Sequence, residues 1–137
     1  MSAFVIHPSV LVSWLTLNER TSQADALLDQ VEAKGALAPS LWRYEAANLL
    51  SGLRRRRQAS EATLDEMAVA LPRLRIAVDI ETDLRLFGPI YVLSVRRNIS
   101  VYDAAYLDLA IRRNLPLATL DHALRQAAHD EGTPLLP

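Results

Sequence analysis

Three acidic residues in this chain sit where a folded protein rarely leaves a carboxylate idle. In SLWRYEAANLLSGL, Trp42, Ala46, Leu49, Leu50 and Leu53 fall on one apolar face at helical spacing, and Glu45 lies on the flank of that face. Glu is almost never fully buried without a partner. Glu45 therefore calls for a cation, a metal ion or a water-filled cleft, unless it simply reaches solvent or an Arg. In SVYDAAYLDLAIRRN, Asp103 is in line with Leu107, Ala110 and Ile111 on the inward stripe, whereas Asp108 points the other way, as a solvated residue would. Ser100 to Asp103 also fits a capping box, with the acid near the positive helix end. In PLATLDHAL a strand runs into Asp121, which is either a plain N-cap or a group displayed at the carboxyl end of a parallel strand. Ser9 follows the first strand in the same sense, with the same two readings. His7 closes the apolar run Phe4-Val5-Ile6, directly before Pro8 and Ser9.

With a hydroxyl, these are three carboxylates at or near the ends of strands, and like charges gathered at one spot repel unless a cation sits among them. Oxygen-only ligand sets suit Mg²⁺ or Mn²⁺. Their chemistry is metal-assisted phosphodiester hydrolysis, in which the ion activates water and neutralises charge growing on the phosphorane. The chain has no cysteine, which removes thiolate nucleophiles, disulfides and cysteine-based zinc sites.

The elements that must position these groups alternate. Five short β-like runs are FVI before His7, GALA around Leu37, RIAV around Ile76, PLATL around Ala118 and PLL near Leu135, each bounded by Pro, Gly or charge. Helical spacing runs from Ser9 to about Leu17, Ser22 to Lys34, Ser40 to Arg56, Ser60 to Ala70, Glu81 to Arg97, Val101 to Arg113 and Asp121 to Asp130. Apolar strands alternating with helices predict an α/β fold of three layers with a parallel sheet covered on both sides. A length of 137 residues without repeats or linkers predicts one domain over 1–137. Lys plus Arg at 15 against Asp plus Glu at 16 gives a net charge of -1 and no global argument for nucleic-acid binding. The run Arg54-Arg55-Arg56-Arg57 is a local exception, either a solvated helix end complementing the macrodipole or a phosphate-binding patch. No apolar run is long enough to span a bilayer, and the start lacks the pattern of a signal peptide, so the expected setting is cytoplasmic, away from any membrane.

PSLWRYEAANLL, SVYDAAYLDLA and LPLATLDHAL, in that order and spacing, together with the opening VIHPSVLVSWL, resemble the acidic segments of PIN-domain proteins, specifically toxins of the VapC type from bacterial toxin–antitoxin pairs. The resemblance runs over nearly the whole chain. It implies a central five-stranded parallel sheet flanked by helices and a Mg²⁺- or Mn²⁺-dependent endoribonuclease acting on structured RNA of the tRNA or rRNA class. It also implies a homodimer and a cognate antitoxin whose C-terminal segment wraps the toxin. Carried over by position, Glu45, Asp103 and Asp121 fall on the family's metal-binding acids, and Ser9 and Thr119 on its hydroxyl positions. Asn48 falls on a commonly polar position, although a helix-face Asn explains it equally.

His7 departs from the pattern, because the family has Asp there. An imidazole can ligate Mn²⁺ but matches Mg²⁺ poorly, and it removes one negative charge from the cluster. His7 is thus a substitute metal ligand, a general base or acid, or the mark of a domain that has lost catalysis and kept its binding surfaces. Two functions follow: an endoribonuclease toxin attenuated at its first ligand position, and a catalytically impaired PIN-like module that binds antitoxin or RNA. A receiver-like phosphoryl-transfer domain needs a Lys at a strand end, and the only lysine, Lys34, precedes one. Trp14, Leu15, Leu17, Leu49, Leu50 and Leu53 exceed what one small core needs, so part of this set is expected to line an antitoxin groove or a dimer seam.

Overall fold

The computed structural model describes residues 3–15 and 22–136. Five strands form where the apolar runs predict them: β1 (Val5–Ile6), β2 (Ala36–Pro39), β3 (Ile76–Asp79), β4 (Leu117–Ala118) and β5 (Leu135–Leu136). All pairings are parallel, in the order β3-β2-β1-β4-β5. Every residue of β1, β2 and β4 is buried. Successive strand residues point to opposite faces, so both faces of the sheet are covered and the fold is a three-layer α/β sandwich.

The helices are α1 (Ser9–Leu15), α2 (Ser22–Lys34), α3 (Trp42–Arg55), α4 (Glu61–Ala70), α5 (Tyr91–Arg97), α6 (Val101–Arg113) and α7 (His122–Asp130). The expected end of the first helix at Leu17 lies outside the described residues. Ser60 caps α4 by accepting from the Thr63 amide at 3.1 Å, as its place before the helix predicts. α6 is the central helix. It packs on β1, β2 and β4 and is buried continuously from Ala104 to Ala110.

Two expectations fail here. The single helix over Glu81 to Arg97 is instead a 3₁₀ turn (Thr82–Arg85), a kinked stretch (Leu86–Ile90) and then α5. Gly88, at φ −123° and ψ −113°, leaves helical space where Pro89 disfavours it for the preceding residue and supplies no amide hydrogen. Asp108 is not solvated but 5% exposed, because the kinked stretch packs against α6 and closes over its outer face. Arg85 grips both carboxylate oxygens of Asp108, from Nε at 2.7 Å and Nη2 at 2.9 Å.

The apolar surplus is distributed differently from the sequence expectation. Trp14 and Leu53 are buried and Leu49 and Leu50 pack against the core, while Leu17 and the side chain of Leu15 lie outside the described residues. Between the end of β3 and α5, Ile80, Leu84, Phe87, Tyr91, Val92 and Val95 are large apolar residues left exposed.

The carboxyl end of β3 is held by a buried ion pair. Arg112 Nη2 donates to Asp79 Oδ2 at 2.8 Å, and Thr82 Oγ1 donates to the same oxygen at 2.6 Å. Burial alone pushes the Asp79 carboxyl up, but the hydrogen bonds from Arg112 and Thr82 outweigh it and hold the group below its ordinary range. A depressed carboxylate stabilises the fold above its unfolded pKa and ceases to do so as pH falls through the folded value. Arg112→Met is expected to cost on the order of 3 kcal/mol at neutral pH in urea unfolding, because it strands a buried charge. The loss should shrink in acid as Asp79 takes up a proton.

Candidate functional site

The chain winds from β1 to β3 on one side of the sheet, and β4 and β5 lie on the other. Strand order therefore reverses between β1 and β4, which is where a parallel sheet opens a crevice at its carboxyl ends. His7 closes β1, with its amide on the Ala118 carbonyl at 2.9 Å, and Thr119 follows β4, fully buried.

A directed chain of hydrogen bonds spans this crevice. The Asp121 amide donates to Thr119 Oγ1 at 3.1 Å, and the Leu120 amide to Ser9 Oγ at 2.8 Å. The two hydroxyl oxygens are 3.2 Å apart, and Ser9 Oγ is 2.9 Å from His7 Nδ1. The Ser9 amide also points at Nδ1, at 3.2 Å, so that nitrogen presents a lone pair and the ring proton sits on Nε2. Nε2 then donates to Asp103 Oδ1 at 2.9 Å. With both ends fixed, Thr119 donates to Ser9 and Ser9 to His7. Ser9 is thus no simple N-cap: its hydroxyl fastens the turn from β4 to α7. The caps predicted at the other two helices form, with the Asp103 amide on Ser100 Oγ at 3.0 Å and the Leu124 amide on Asp121 Oδ2 at 2.9 Å.

Glu45, in the first turn of α3, joins the same group through a residue that the sequence reading passed over. Tyr106, fully buried on α6, donates to Glu45 Oε1 at 2.6 Å, and its ring meets the His7 ring edge-on with centroids 4.9 Å apart. A buried Tyr needs an acceptor for its hydroxyl. Its place three residues after Asp103 on the inward stripe was the available signal. Burial pushes the Glu45 carboxyl up and the charge of Asp103 adds to this, against the hydrogen bond from Tyr106 and the influence of His7. Burial and the Glu45 contact drive the Tyr106 phenol far above its ordinary range, so it remains a donor.

Three other carboxylates that the fold covers are clamped by arginine: Asp79 by Arg112, Asp108 by Arg85, and Glu131 by Arg96 and Arg97. Among the described residues, Glu45, Asp103 and Asp121 have no Arg or Lys partner, and each keeps one carboxylate oxygen without a hydrogen bond. Those free oxygens are the hard donors that Mg²⁺ or Mn²⁺ takes. The imidazole is a different matter: Nδ1 receives Ser9 and Nε2–H faces Asp103, so ligation would require one of these bonds to break. As they stand, no three His, Cys, Asp or Glu side chains among the described residues converge closely enough to hold one ion. Asp121 connects to the others only through the hydroxyls.

Among the described residues, Asn48 and the four arginines bond to none of these groups. All are exposed: Arg54 pairs with Asp65 at 2.6 Å, Arg55 bonds Ser51 and Arg56 bonds Gln58, while Arg57 turns the chain at φ +52°.

Tyr106→Phe removes the one donor that holds Glu45 down. The Glu45 carboxyl is expected to titrate higher still in a carbon-detected NMR titration, with a loss of about 2 kcal/mol in urea unfolding.

The PIN domain family model matches residues 5–130. Ribonuclease VapC3 of Pyrobaculum aerophilum is 28% identical over 122 residues, spanning 89% of this chain and 92% of that protein. The crystal structure of PAE2754 from Pyrobaculum aerophilum superimposes with a TM-score of 0.66 at 20% identity, covering 98% of this chain and 90% of that one. The family match takes in β1 through α7, every element that carries the site, and the chain belongs to the PIN domain family.

Proposed function

We propose that this chain is the ribonuclease toxin of a type II toxin–antitoxin pair, a single cytoplasmic PIN domain over 1–137 that cuts structured RNA of the tRNA or rRNA class as a metal-dependent endonuclease. The observation that carries the reading is the set of three carboxylates that have no cationic partner among the described residues, in a protein that gives arginines to Asp79, Asp108 and Glu131. Its resemblance to Ribonuclease VapC3 agrees with it.

In this reading Glu45, Asp103 and Asp121 would hold the ion, closing on it from positions that do not converge as they stand. When bound, Mg²⁺ or Mn²⁺ supplies positive charge at the attacking and leaving oxygens of the phosphodiester. Ser9 and Thr119 set the turn that presents Asp121, and Tyr106 orients Glu45 while keeping water from its back. His7 stands where the family has Asp and gives its Nε2–H to Asp103, so one ligand oxygen is engaged and one negative charge is missing. Weaker ion binding and attenuated cleavage follow. A second reading, a catalytically impaired module that binds antitoxin or RNA, is favoured by the commitment of both His7 nitrogens to protein groups.

The exposed face of Ile80, Leu84, Phe87, Tyr91, Val92 and Val95 supports a homodimer through this segment. The apolar groove between α3 and the end of α4, lined by Trp42, Ala46, Leu50, Ala68 and Leu71, suits a cognate antitoxin segment.

The deciding assay is cleavage of structured RNA by the purified chain with Mg²⁺ or Mn²⁺. The expected result is slow cutting, at least as fast with Mn²⁺, abolished by Asp103→Ala and raised about tenfold or more by His7→Asp, since neighbours of ligands typically tune affinity by that much. A silent parent and an active His7→Asp would establish the second reading. Persistent cutting by Asp103→Ala would refute the carboxylate assignment. Phe87→Glu is expected to shift the chain to monomer in sedimentation velocity, and an unchanged dimer would place the seam elsewhere.

A further inference from the structure

The four arginines at the end of α3 differ in what they touch. Arg54 is committed to Asp65 and to the Glu61 carbonyl, and Arg56 bonds Gln58 and folds back so closely that a Cβ on Gly52 would lie 2.9 Å from its guanidinium. Arg57 is the left-handed residue that ends the helix. Only Arg55 points along the helix, donating to Ser51 Oγ one turn back at 2.6 Å.

At 100° per residue, Tyr44, Asn48, Ser51 and Arg55 fall within about 60° of one another, on the flank beside Glu45. All four are exposed, and Tyr44 is 82% so. Among the described residues, neither the Tyr44 hydroxyl nor the Asn48 amide makes a hydrogen bond, and Glu45 is the only acid on α3. An aromatic ring, an amide, a hydroxyl and a guanidinium follow one another along about 16 Å of helix. Single-stranded nucleic acid is held by rings that accept bases, polar groups that meet base edges and sugars, and cations that meet phosphates. A face without acids also escapes the repulsion that the carboxylate cluster exerts on a phosphate backbone.

We infer that this stripe of α3 is a track for a few unpaired nucleotides that leads the RNA strand to Glu45, with Tyr44 stacking on a base and Arg55 contacting a phosphate. The inference rests on the ribonuclease reading and assigns its substrate-binding residues. Tyr44, Asn48 and Arg55 are positioning residues. Arg54, in the same basic run, is not.

The test is fluorescence anisotropy with a labelled single-stranded 2′-O-methyl RNA in EDTA, so that binding is read without cleavage. Tyr44→Ala is expected to weaken binding by about fivefold to a hundredfold at unchanged salt dependence, and Tyr44→Phe to restore it. Arg55→Ala should lower the slope of log K against log salt by about 0.7, the loss of one phosphate contact on a single strand, while Arg54→Ala leaves it unchanged. Equal effects from Arg54→Ala and Arg55→Ala would overturn the track in favour of a diffuse basic patch. Parent-like binding by both Tyr44→Ala and Arg55→Ala would overturn it and leave the stripe to a protein partner, whatever the cleavage assay shows. A parent that cuts RNA but does not bind the single strand would overturn the track alone; a parent that does neither would remove the ribonuclease reading with it.

Discussion

The link from His7 Nε2 to Asp103 Oδ1, 2.9 Å long, joins the end of β1 to the first turn of α6 across 96 positions of sequence. Much of the site is organised around it. On one side the ring leans on Tyr106, whose hydroxyl holds Glu45 and so brings α3 into register with the crevice. On the other, the hydroxyls of Ser9 and Thr119 carry the order of the same ring to the amides that open α7. Three helices and two strands are thus aligned by one imidazole, which gives Nε2–H to Asp103 and takes Ser9 at Nδ1.

Charge is divided accordingly between two districts of the molecule. Around the β3 end and the outer face of α6, carboxylates and guanidiniums are paired at 2.7 to 2.9 Å and serve the fold. At the carboxyl ends of β1 and β4, negative charge is left without cationic partners among the described residues. Burying a carboxylate in such company is costly, and the raised Glu45 carboxyl records part of that cost.

The strands were legible because runs such as GALA and RIAV are short, apolar and bounded by breakers. The limits of α2 and α6 coincide with their helical patterns for the same local reason. Glu81 to Arg97 misled because its apolar spacing is helical throughout, while Gly88-Pro89 acts on the backbone, where periodicity does not register. Asp108 was misplaced because a solvated face and a face covered by a distant segment look alike along a helix; only the packing of the kinked stretch distinguishes them. The candidate site was readable as a set of types and places, His7 included. Its wiring was not, since a bond from residue 7 to residue 103 leaves no trace in either neighbourhood.

The Nε2–H of His7 also bears on what the crevice needs to stay folded. An Asp at position 7 would set a second anion against Asp103, and the folded state would then lean on a bound cation to offset the repulsion, coupling its melting temperature to the ion supply. The histidine replaces that dependence with an internal donor. The Asp103 carboxylate at the mouth of the crevice is thereby met from within the chain, by a donor that the end of β1 itself supplies.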